Sequence, residues 1–386
     1  MSKPEPFNIL INASTCIIGG GVQVAVGFIH YLHEHVESLS WDVTVVASDK
    51  VYSQCKNLTP KPGFRITLIS QSPAKILSGR LARKTIYQII KTQECKICFT
   101  VLGPSYLSLD IPEFTGFANP YVTNPGPYAF KNHTLFEKFF HSLIYKIKKI
   151  YLSRAQEFWV ETVTAQKGLA KKLNIDETKI HVVPNTINPL FSPLTHLPPE
   201  TPLKFLYLSA FYKHKNHLFL VDVAQAFKKK YPALNFKFVV SLPPQEYPFS
   251  ELMRQANQRD LGNHFETLGY LNIKECAQAY ADCHVVFHPS LLEVFSATYL
   301  EAFAAQRPLV VTDLDFAHEI CGPAAIYFNP ISAEDAADSL YTAATDEHLR
   351  EKMIKMGLAQ LGLYPKTDEK CHRLVQLIKD FGARYL

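Results

Sequence analysis

The sequence predicts an α/β protein made of two doubly wound domains, each a parallel β-sheet covered by helices on both faces. Short β-rich runs alternate with segments of helical period along the 386 residues, which is typical of parallel strands joined by helical crossovers. A proline cluster near the middle of the chain interrupts this alternation. The length also exceeds the roughly 250 to 300 residues that one hydrophobic core usually supports. Two lobes are therefore expected.

The first domain is predicted over residues 1–190. A buried strand at 7–11 precedes a glycine-rich loop and a helix at 22–36, and further strands are predicted at 42–47, 65–69, 97–101 and 157–161. The loop holds Gly19, Gly20 and Gly21, whose backbone N–H groups could approach a charged oxygen at the helix N-terminus. The spacing does not match G-x-G-x-x-G, so an ordinary flexible turn is an equal alternative.

The proline cluster predicts where the two domains are joined. Six prolines fall between positions 184 and 202, and neither a helix nor a central strand can run through them. We assign residues 191–202 to a proline-rich linker. The second domain is predicted over 203–365, with strands at 203–209, 236–241, 265–268, 285–288 and 309–312, and a last helical segment follows at 366–386.

Charge is concentrated in the first domain. Residues 51–154 hold 15 Lys and Arg against 4 Asp and Glu, which predicts a basic face and an anionic partner. Within it, residues 131–154 combine helical apolar spacing with lysines, as in a helix lying on an anionic membrane surface. A core helix with a solvated cationic end is an equal alternative. Nucleic acid is not expected, because no recognition motif accompanies the charge.

The cysteines and apolar runs limit the remaining classes of protein. Cys95 and Cys98 are a lone close pair without a partner pair at zinc spacing, so they are expected to be buried thiols of a strand, in a reducing compartment. No run of about 18 unbroken apolar residues occurs, so no membrane span is expected. The expected location is the cytoplasm, with attachment at the inner face of the membrane as an option.

Chemistry-bearing residues follow two strands of the second domain. The loop 209–216 carries Lys213, Lys215 and Asn216, which could hold a diphosphate or form a solvated basic loop. After the strand at 285–288 come Glu293 and then a helix start near 296–298, whose N–H groups attract phosphate. Glu301 lies one turn further and suits a ribose diol. The alternative is a capping box, Thr298-x-x-Glu301, which binds nothing.

The residues around Glu293 and Glu301 resemble those of a known family. Glu293 and Glu301, separated by seven residues, are similar to the Glu-x7-Glu signature of glycosyltransferase family four, which are retaining enzymes of the two-lobed GT-B fold. Residues 179–188, 281–290 and 324–330 resemble further segments of that family, in the same order. The resemblance implies two Rossmann-like domains facing a central cleft, and a last helix that crosses back to the first domain.

The resemblance also implies roles for single residues. Glu301 would hold the nucleotide ribose and Glu293 the hydroxyls of the donor sugar, while Lys215 would neutralise the departing nucleotide. The remaining donor-binding residues are implied by position and are the following: Gly19, Gly20, Gly21, Lys213, Asn216, Gly269, Tyr270, Leu271, Phe295, Ser296, Ala297 and Thr298. His133 matches the family's histidine near the acceptor, with a plain surface histidine as the alternative. Neither a cofactor nor a metal ion is implied.

One position departs from the family. Ala210 stands where the family usually has an arginine beside the phosphates, and we expect Lys213 to replace its charge. The function expected is retaining transfer of a hexosyl group from a nucleotide-diphosphate sugar to a glycan or lipid-linked glycan, in surface polysaccharide assembly. A noncatalytic binding protein of the same fold, an epimerase acting on nucleotide sugars and a sugar phosphorylase are the alternatives. The sequence does not indicate the donor base, the linkage or the oligomeric state.

Overall fold

The protein is described by a computed structural model that covers residues 7–188, 190–191 and 201–386. Within these residues the chain forms two compact units. The first unit contains the residues up to Asn124, Leu135–Pro184 and Thr367–Leu386, and the second contains Pro125–Thr134 and Asn185–Lys366. Residues 125–134 and 185–188, which the sequence predicts in the first domain, therefore belong to the second unit. Most of the predicted linker, residues 192–200, lies outside the described residues.

The first unit has a parallel sheet with helices on its faces. Its strands are β1 Phe7–Ala13, β2 Trp41–Ala47, β3 Phe64–Leu68, β4 Cys95–Thr100, β5 Glu113–Gly116, β6 Glu157–Val160 and β7 Ile180–Val182. Its helices are α1 Gly20–His35, α2 Asp49–Cys55, α3 Gly79–Thr92, α4 Pro120–Thr123, α5 Leu135–Leu152 and α6 Val163–Leu173. Among the described residues the strand order is β3-β2-β1-β4-β5-β6-β7.

The sheet forms because its strands are apolar on both sides. β1 is buried from Ile9 onwards, and it pairs in parallel with β2 on one side and β4 on the other. Helices α1 and α14, the latter at Thr367–Tyr385, pack on one face, and α3 packs on the other. Cys95 and Cys98 are buried thiols of β4, as predicted.

The second unit repeats this architecture. Its strands are β8 Leu203–Tyr207, β9 Phe236–Val240, β10 Phe265–Thr267, β11 Val285–His288, β12 Leu309–Thr312 and β13 Ile326–Phe328. Its helices are α7 Phe219–Lys230, α8 Tyr247–Asn257, α9 Ile273–Ala281, α10 Ala297–Ala304, α11 Asp315–Cys321, α12 Ala333–Thr345 and α13 Glu347–Leu361. The strand order is β10-β9-β8-β11-β12-β13 in the described part of the chain, and all pairs are parallel. The predicted fold class is therefore confirmed.

Each strand predicted from an apolar run is present, with ends within two residues of the prediction, but the pattern missed β5, β7 and β13. β5 begins with a carboxylate, Glu113, that is only 4% exposed. Thr100, Ser105 and Thr115 donate hydroxyl hydrogen bonds to it. A hydrophobic pattern cannot predict a strand that begins with a buried carboxylate, because the hydrogen bonds that make its burial possible come from other positions of the chain.

The C-terminal helix α14 belongs to the first unit. Arg384 forms two hydrogen bonds with Glu157 of β6, at 2.9 and 2.8 Å. Near the start of the helix, the ammonium of Lys370 lies 5.3 Å from the ring centre of Trp159. The last helix of the chain therefore packs with the sheet at which the chain begins.

Two helical glycines make the packing of the first unit testable. A Cβ at Gly168 in α6 would lie 1.6 Å from the carbonyl oxygen of Thr123, whereas a Cβ at Gly27 in α1 would meet no atom closer than 3.9 Å. Alanine favours a helix over glycine by about 1 kcal/mol. We expect Gly27→Ala to leave the stability of the protein unchanged or to raise it. Gly168→Ala should lower the stability by about 3 kcal/mol, because the backbone at Thr123 must move. Urea unfolding of both variants measures this, and equal midpoints would contradict it.

Candidate functional site

The loops that carry the predicted site follow the two central strands of the second sheet. From β8 the chain continues to one side of the sheet through β9 and β10, and from β11 it continues to the other side through β12 and β13. The loops after β8 and β11 therefore diverge, which opens a crevice at the carboxyl ends of the strands. Open α/β sheets bind their ligands at such a switch point.

A buried ion pair joins these two loops. Lys215 follows β8, Glu293 follows β11, and the ammonium Nζ lies 2.5 Å from the carboxylate Oε1. The side chains are 16% and 8% exposed. The backbone of the first loop is held in place as well, because the Tyr207 hydroxyl donates to the Lys215 carbonyl at 2.7 Å and Leu291 N donates to the His214 carbonyl at 2.7 Å.

Glu293 is held as a carboxylate. Burial alone would raise its pKa, but the charge of Lys215 and the hydrogen bond from His288 outweigh burial and hold the pKa well below its usual range. His288 Nε2 lies 3.1 Å from the same oxygen, Oε1. Since a carboxylate only accepts hydrogen bonds, Nε2 carries the proton. Burial lowers the pKa of His288, and its Nδ1 has no hydrogen-bond partner in the described part of the chain, so the ring is neutral.

Helix α10 begins beside this pair. Ser296 is its N-cap, with extended backbone dihedral angles, and its hydroxyl lies 3.4 Å from His288 Nε2. Ala297 is the first helical residue and Thr298 the second, so Thr298 cannot be the N-cap and the capping-box alternative is wrong. The protein does contain a capping box at the start of another helix, α9, where it is formed by Asn272 and Glu275. The ring of Phe295 lies 5.6 Å from that of Tyr364.

Glu301 lies in the second turn of α10, with its carboxylate fixed by a tyrosine. The buried Tyr280 donates its hydroxyl to Glu301 Oε2 at 2.6 Å. Burial raises the pKa of Glu301, and the bond from Tyr280 acts against that rise. Glu301 is half-buried and does not contact the Lys215–Glu293 pair in any described hydrogen bond.

Residues 125–134 bring His133 to the loop after β8. Asn132 Nδ2 donates to the Lys213 carbonyl and to Asn216 Oδ1, at 3.0 Å each. His133 itself is half-buried and interacts electrostatically with His214. Its ring packs edge to face against Phe130, with the ring centres 5.5 Å apart. The structure therefore brings His133, Lys213, Lys215 and Asn216 together within the second unit. Lys213 is half-buried, and Asn216 adopts a left-handed backbone conformation with φ 58°.

The segment predicted to meet the nucleobase follows β10. Gly269 has a φ of +68°, and its N–H donates to the Thr267 hydroxyl at 3.1 Å. Tyr270 is 78% exposed and donates its hydroxyl to Glu246 Oε1 at 2.6 Å, whereas Leu271 packs against the core. A largely exposed aromatic side chain three strands away from β11 is suited to stacking on a base.

The glycine loop lies at the switch point of the first sheet, between β1 and β4. Gly19 is the N-cap of α1, with a φ of +61°, which side chains rarely tolerate. A Cβ at Gly20 would meet no protein atom within 4 Å, and a Cβ at Gly21 would lie 3.1 Å from Leu102. These residues belong to the first unit and the other predicted site residues to the second.

Sequence reasoning missed three residues that hold the site together: His288, Tyr280 and Asn132. A histidine as the last residue of a predicted strand, five positions before Glu293, was a signal for the first. Nothing in the sequence pattern indicated that Tyr280 reaches Glu301 or that Asn132 reaches Lys213.

Comparisons with known proteins agree with this fold. The family model "Glycosyl transferases group 1" matches residues 194–360 and supports a glycosyltransferase. The O-antigen chain mannosyltransferase RfbU of Salmonella typhimurium is 26% identical over 183 residues, which are 47% of this chain and 49% of that protein. The matched segment thus spans about half the length of this curated relative.

Solved structures align over nearly the whole chain. A glycosyltransferase from Rickettsia africae superposes with a TM-score of 0.72 at 16% identity, covering 97% of this chain and 98% of that one. HepE of Anabaena in complex with UDP-glucose superposes with a TM-score of 0.72 at 13% identity, covering 97% and 99%. The two Rossmann-like α/β domains of this chain thus match those of GT-B glycosyltransferases.

Two histidines with lowered pKa values, His214 and His217, make the second unit sensitive to acid. Burial lowers the pKa of His217 to about 3 and of His214 to about 4, against 6.5 when unfolded. The unfolded chain therefore binds more protons, and stability falls as pH drops below about 6.5, by about 1.4 kcal/mol per pH unit for each histidine. We expect His217→Gln to reduce this slope between pH 6 and pH 4.5, about the middle of the window.

Urea unfolding at a series of pH values measures that slope. The control is His348→Gln, since His348 is exposed on α13 and should leave the slope unchanged. A wild-type slope in His217→Gln would contradict the assignment of His217 as a neutral buried ring.

Proposed function

We propose that this protein is a retaining glycosyltransferase that moves a hexosyl group from a nucleotide-diphosphate sugar to a hydroxyl of a glycan or lipid-linked glycan, in the assembly of a surface polysaccharide. The observation that carries the proposal is the buried Lys215–Glu293 pair beside the N-terminus of α10, at the switch point of the second sheet. The family match over residues 194–360 and the mannosyltransferase relative support it.

The diphosphate is assigned to Lys215 and to the N-terminus of α10. An ammonium has three N–H donors, and Lys215 uses one of them for Glu293. The first N–H groups of α10, at Ala297 and Thr298, have no partner within their own helix and attract anions. Lys213 supplies the charge that Ala210 does not. Gly20 and Gly21 are assigned to donor binding through their backbone N–H groups.

The sugar and the nucleoside are assigned to the two glutamates. Glu293 remains a carboxylate at any physiological pH and therefore accepts hydrogen bonds from sugar hydroxyls. Glu301, oriented by Tyr280, accepts from the ribose diol. Such a charge-assisted bond contributes roughly 1.5 to 3 kcal/mol. Tyr270 and Gly269 border the base.

The reaction breaks the bond between the anomeric carbon and the phosphate oxygen and forms a bond from the acceptor oxygen to the same face of that carbon. The acceptor proton passes to the departing phosphate, whose negative charge Lys215 and the α10 N-terminus stabilise. His133 is assigned to the acceptor side. The proposal requires neither a cofactor nor a metal ion, so turnover is expected to persist in EDTA.

The assignment of Glu301 and Lys215 is tested by kinetics. We expect Glu301→Ala and Lys215→Ala each to lower kcat/KM by about 2 to 4 kcal/mol, because each removes one preorganised charge partner. The control is Glu334→Gln, which neutralises an exposed acid in the first turn of α12. Thermal unfolding separates lost function from lost folding, and near wild-type kinetics in both variants would refute the site.

The glycine loop is tested by adding one methyl group. At Gly20 the new Cβ meets no protein atom within 4 Å, so Gly20→Ala should keep the melting temperature. If the Gly20 backbone lies against the phosphates, the same change should weaken donor binding about tenfold or more, by about 1.4 kcal/mol. Gly27→Ala in the same helix is the matched control. Unchanged donor affinity in Gly20→Ala would show that Gly20 does not contact the donor.

Incubation with a panel of nucleotide sugars, with and without a glycan acceptor, distinguishes the activities. Acceptor-dependent release of the nucleoside diphosphate with retained anomeric configuration is expected. An epimerised donor in the absence of acceptor would favour the epimerase, and binding without any turnover would favour a noncatalytic protein, consistent with Ala210.

A further inference from the structure

Helix α5 of the first unit exposes its apolar face. Eight large apolar side chains on this helix are between 39% and 84% exposed: Leu135, Phe136, Phe139, Phe140, Leu143, Ile144, Ile147 and Ile150. At about 3.6 residues per turn they form one continuous face. A contiguous apolar surface of this kind on a globular protein marks an interaction site.

The opposite, polar face of α5 is the one that packs on the protein. Glu137, His141, Tyr145 and Lys148 are half-buried, and Leu152 is buried. The His141 ring lies 4.8 Å from that of Tyr121, and the ammonium of Lys172 lies 5.7 Å from the Tyr145 ring centre. A core helix would have the reverse orientation, so the core-helix alternative of the sequence analysis is wrong.

The exposed charge along α5 is positive. Lys138, Lys146 and Lys149 are exposed, and the one acidic residue in its sequence, Glu137, is on the half-buried side. Apolar side chains flanked by lysines are typical of a helix that lies in the plane of an anionic lipid interface. In the described residues no helix is long and apolar enough to cross a membrane.

A second patch of the same composition precedes and begins α3. Ile76, Leu77 and Leu81 are 70% to 76% exposed, and exposed cations surround them: Lys75, Arg80 and Lys84. No Asp or Glu occurs anywhere between residues 65 and 93. This patch therefore combines exposed apolar side chains with exposed positive charge, as α5 does.

Helices α3 and α5 border the same segment between β4 and β5. Ser108 N donates to the Tyr87 hydroxyl of α3 at 2.7 Å, and Arg154, just after α5, donates to the Ser108 hydroxyl. The ring of Tyr106 lies 5.3 Å from that of Tyr151 in α5. The two patches therefore lie on the same face of the first sheet.

We propose that α3 and α5 dock the first unit onto an anionic lipid bilayer, with the apolar side chains of α5 inserted between headgroups. The positive charge of α5 favours an anionic bilayer over a second copy of the chain as the binding partner. Two copies meeting at α5 would bring six exposed lysines together without an exposed acid on either helix, whereas anionic headgroups would neutralise them. This inference stands apart from the proposed transfer reaction, because it uses none of the residues of the site.

Cosedimentation of the full chain with vesicles tests the proposal. At physiological ionic strength we expect binding to mixed phosphatidylcholine and phosphatidylglycerol vesicles and little binding to phosphatidylcholine alone. The variant Lys138→Gln/Lys146→Gln/Lys149→Gln should bind about 100-fold more weakly, since each lysine contributes about 1 kcal/mol near an anionic surface. The matched control removes three exposed lysines from the second unit, Lys274→Gln/Lys352→Gln/Lys355→Gln, and should bind as the wild type does.

Tryptophan fluorescence locates the inserted face. The native Trp41 and Trp159 are buried, so a new exposed indole is easily distinguished. Phe139→Trp should shift its emission to the blue on anionic vesicles and be quenched by brominated acyl chains. Tyr247→Trp, at a 70% exposed site of the second unit, should do neither.

Three results would overturn the proposal. The first is equal binding to neutral and anionic vesicles, and the second is an unshifted Phe139→Trp emission on vesicles that bind the protein. The third is concentration-dependent dimerisation that Phe139→Ser abolishes, without vesicle binding, because that would make this face an interface between copies.

Discussion

The ion pair of Lys215 with Glu293 is the interaction on which the candidate site depends. It joins the two loops that diverge from the central strands of the second sheet, and it lies largely out of water. Breaking such a buried pair by removing one partner costs about 3 to 5 kcal/mol, because the other charge is left uncompensated. The pair thus holds both loops in one arrangement before any ligand arrives, which is the condition for effective electrostatic stabilisation of a leaving group.

The neighbours of the pair fix its protonation. Glu293 is a carboxylate because Lys215 and His288 favour the charged form, and His288 is neutral because it is buried. The site therefore presents a cation, an acceptor-only carboxylate and a helix N-terminus side by side. This combination suits a diphosphate next to a polyhydroxylated sugar better than it suits either group alone.

Sequence reasoning predicted the local parts of this structure well and the distant contacts poorly. The strands that precede each site loop, the start of α10 and the glycine loop between β1 and α1 follow from apolar runs and glycine chemistry. The packing of residues 125–134 with the second unit includes the hydrogen bond from Asn132 to Lys213, which is 81 positions away in the chain. No local pattern encodes that contact. The orientation of α5 was equally hidden, since a helical period is the same whether its apolar face is turned inward or outward.

Recognition of a nucleoside diphosphate by the Lys215–Glu293 pair and the adjoining helix start can be measured in solution. The direct measurement is calorimetric titration of nucleoside diphosphates and monophosphates into the wild type and into Lys215→Met/Glu293→Gln, which removes both charges so that neither is left buried alone. We expect the wild type to prefer the diphosphate, and the double variant to lose this preference while retaining its unfolding transition. A folded double variant that still prefers the diphosphate would contradict this expectation.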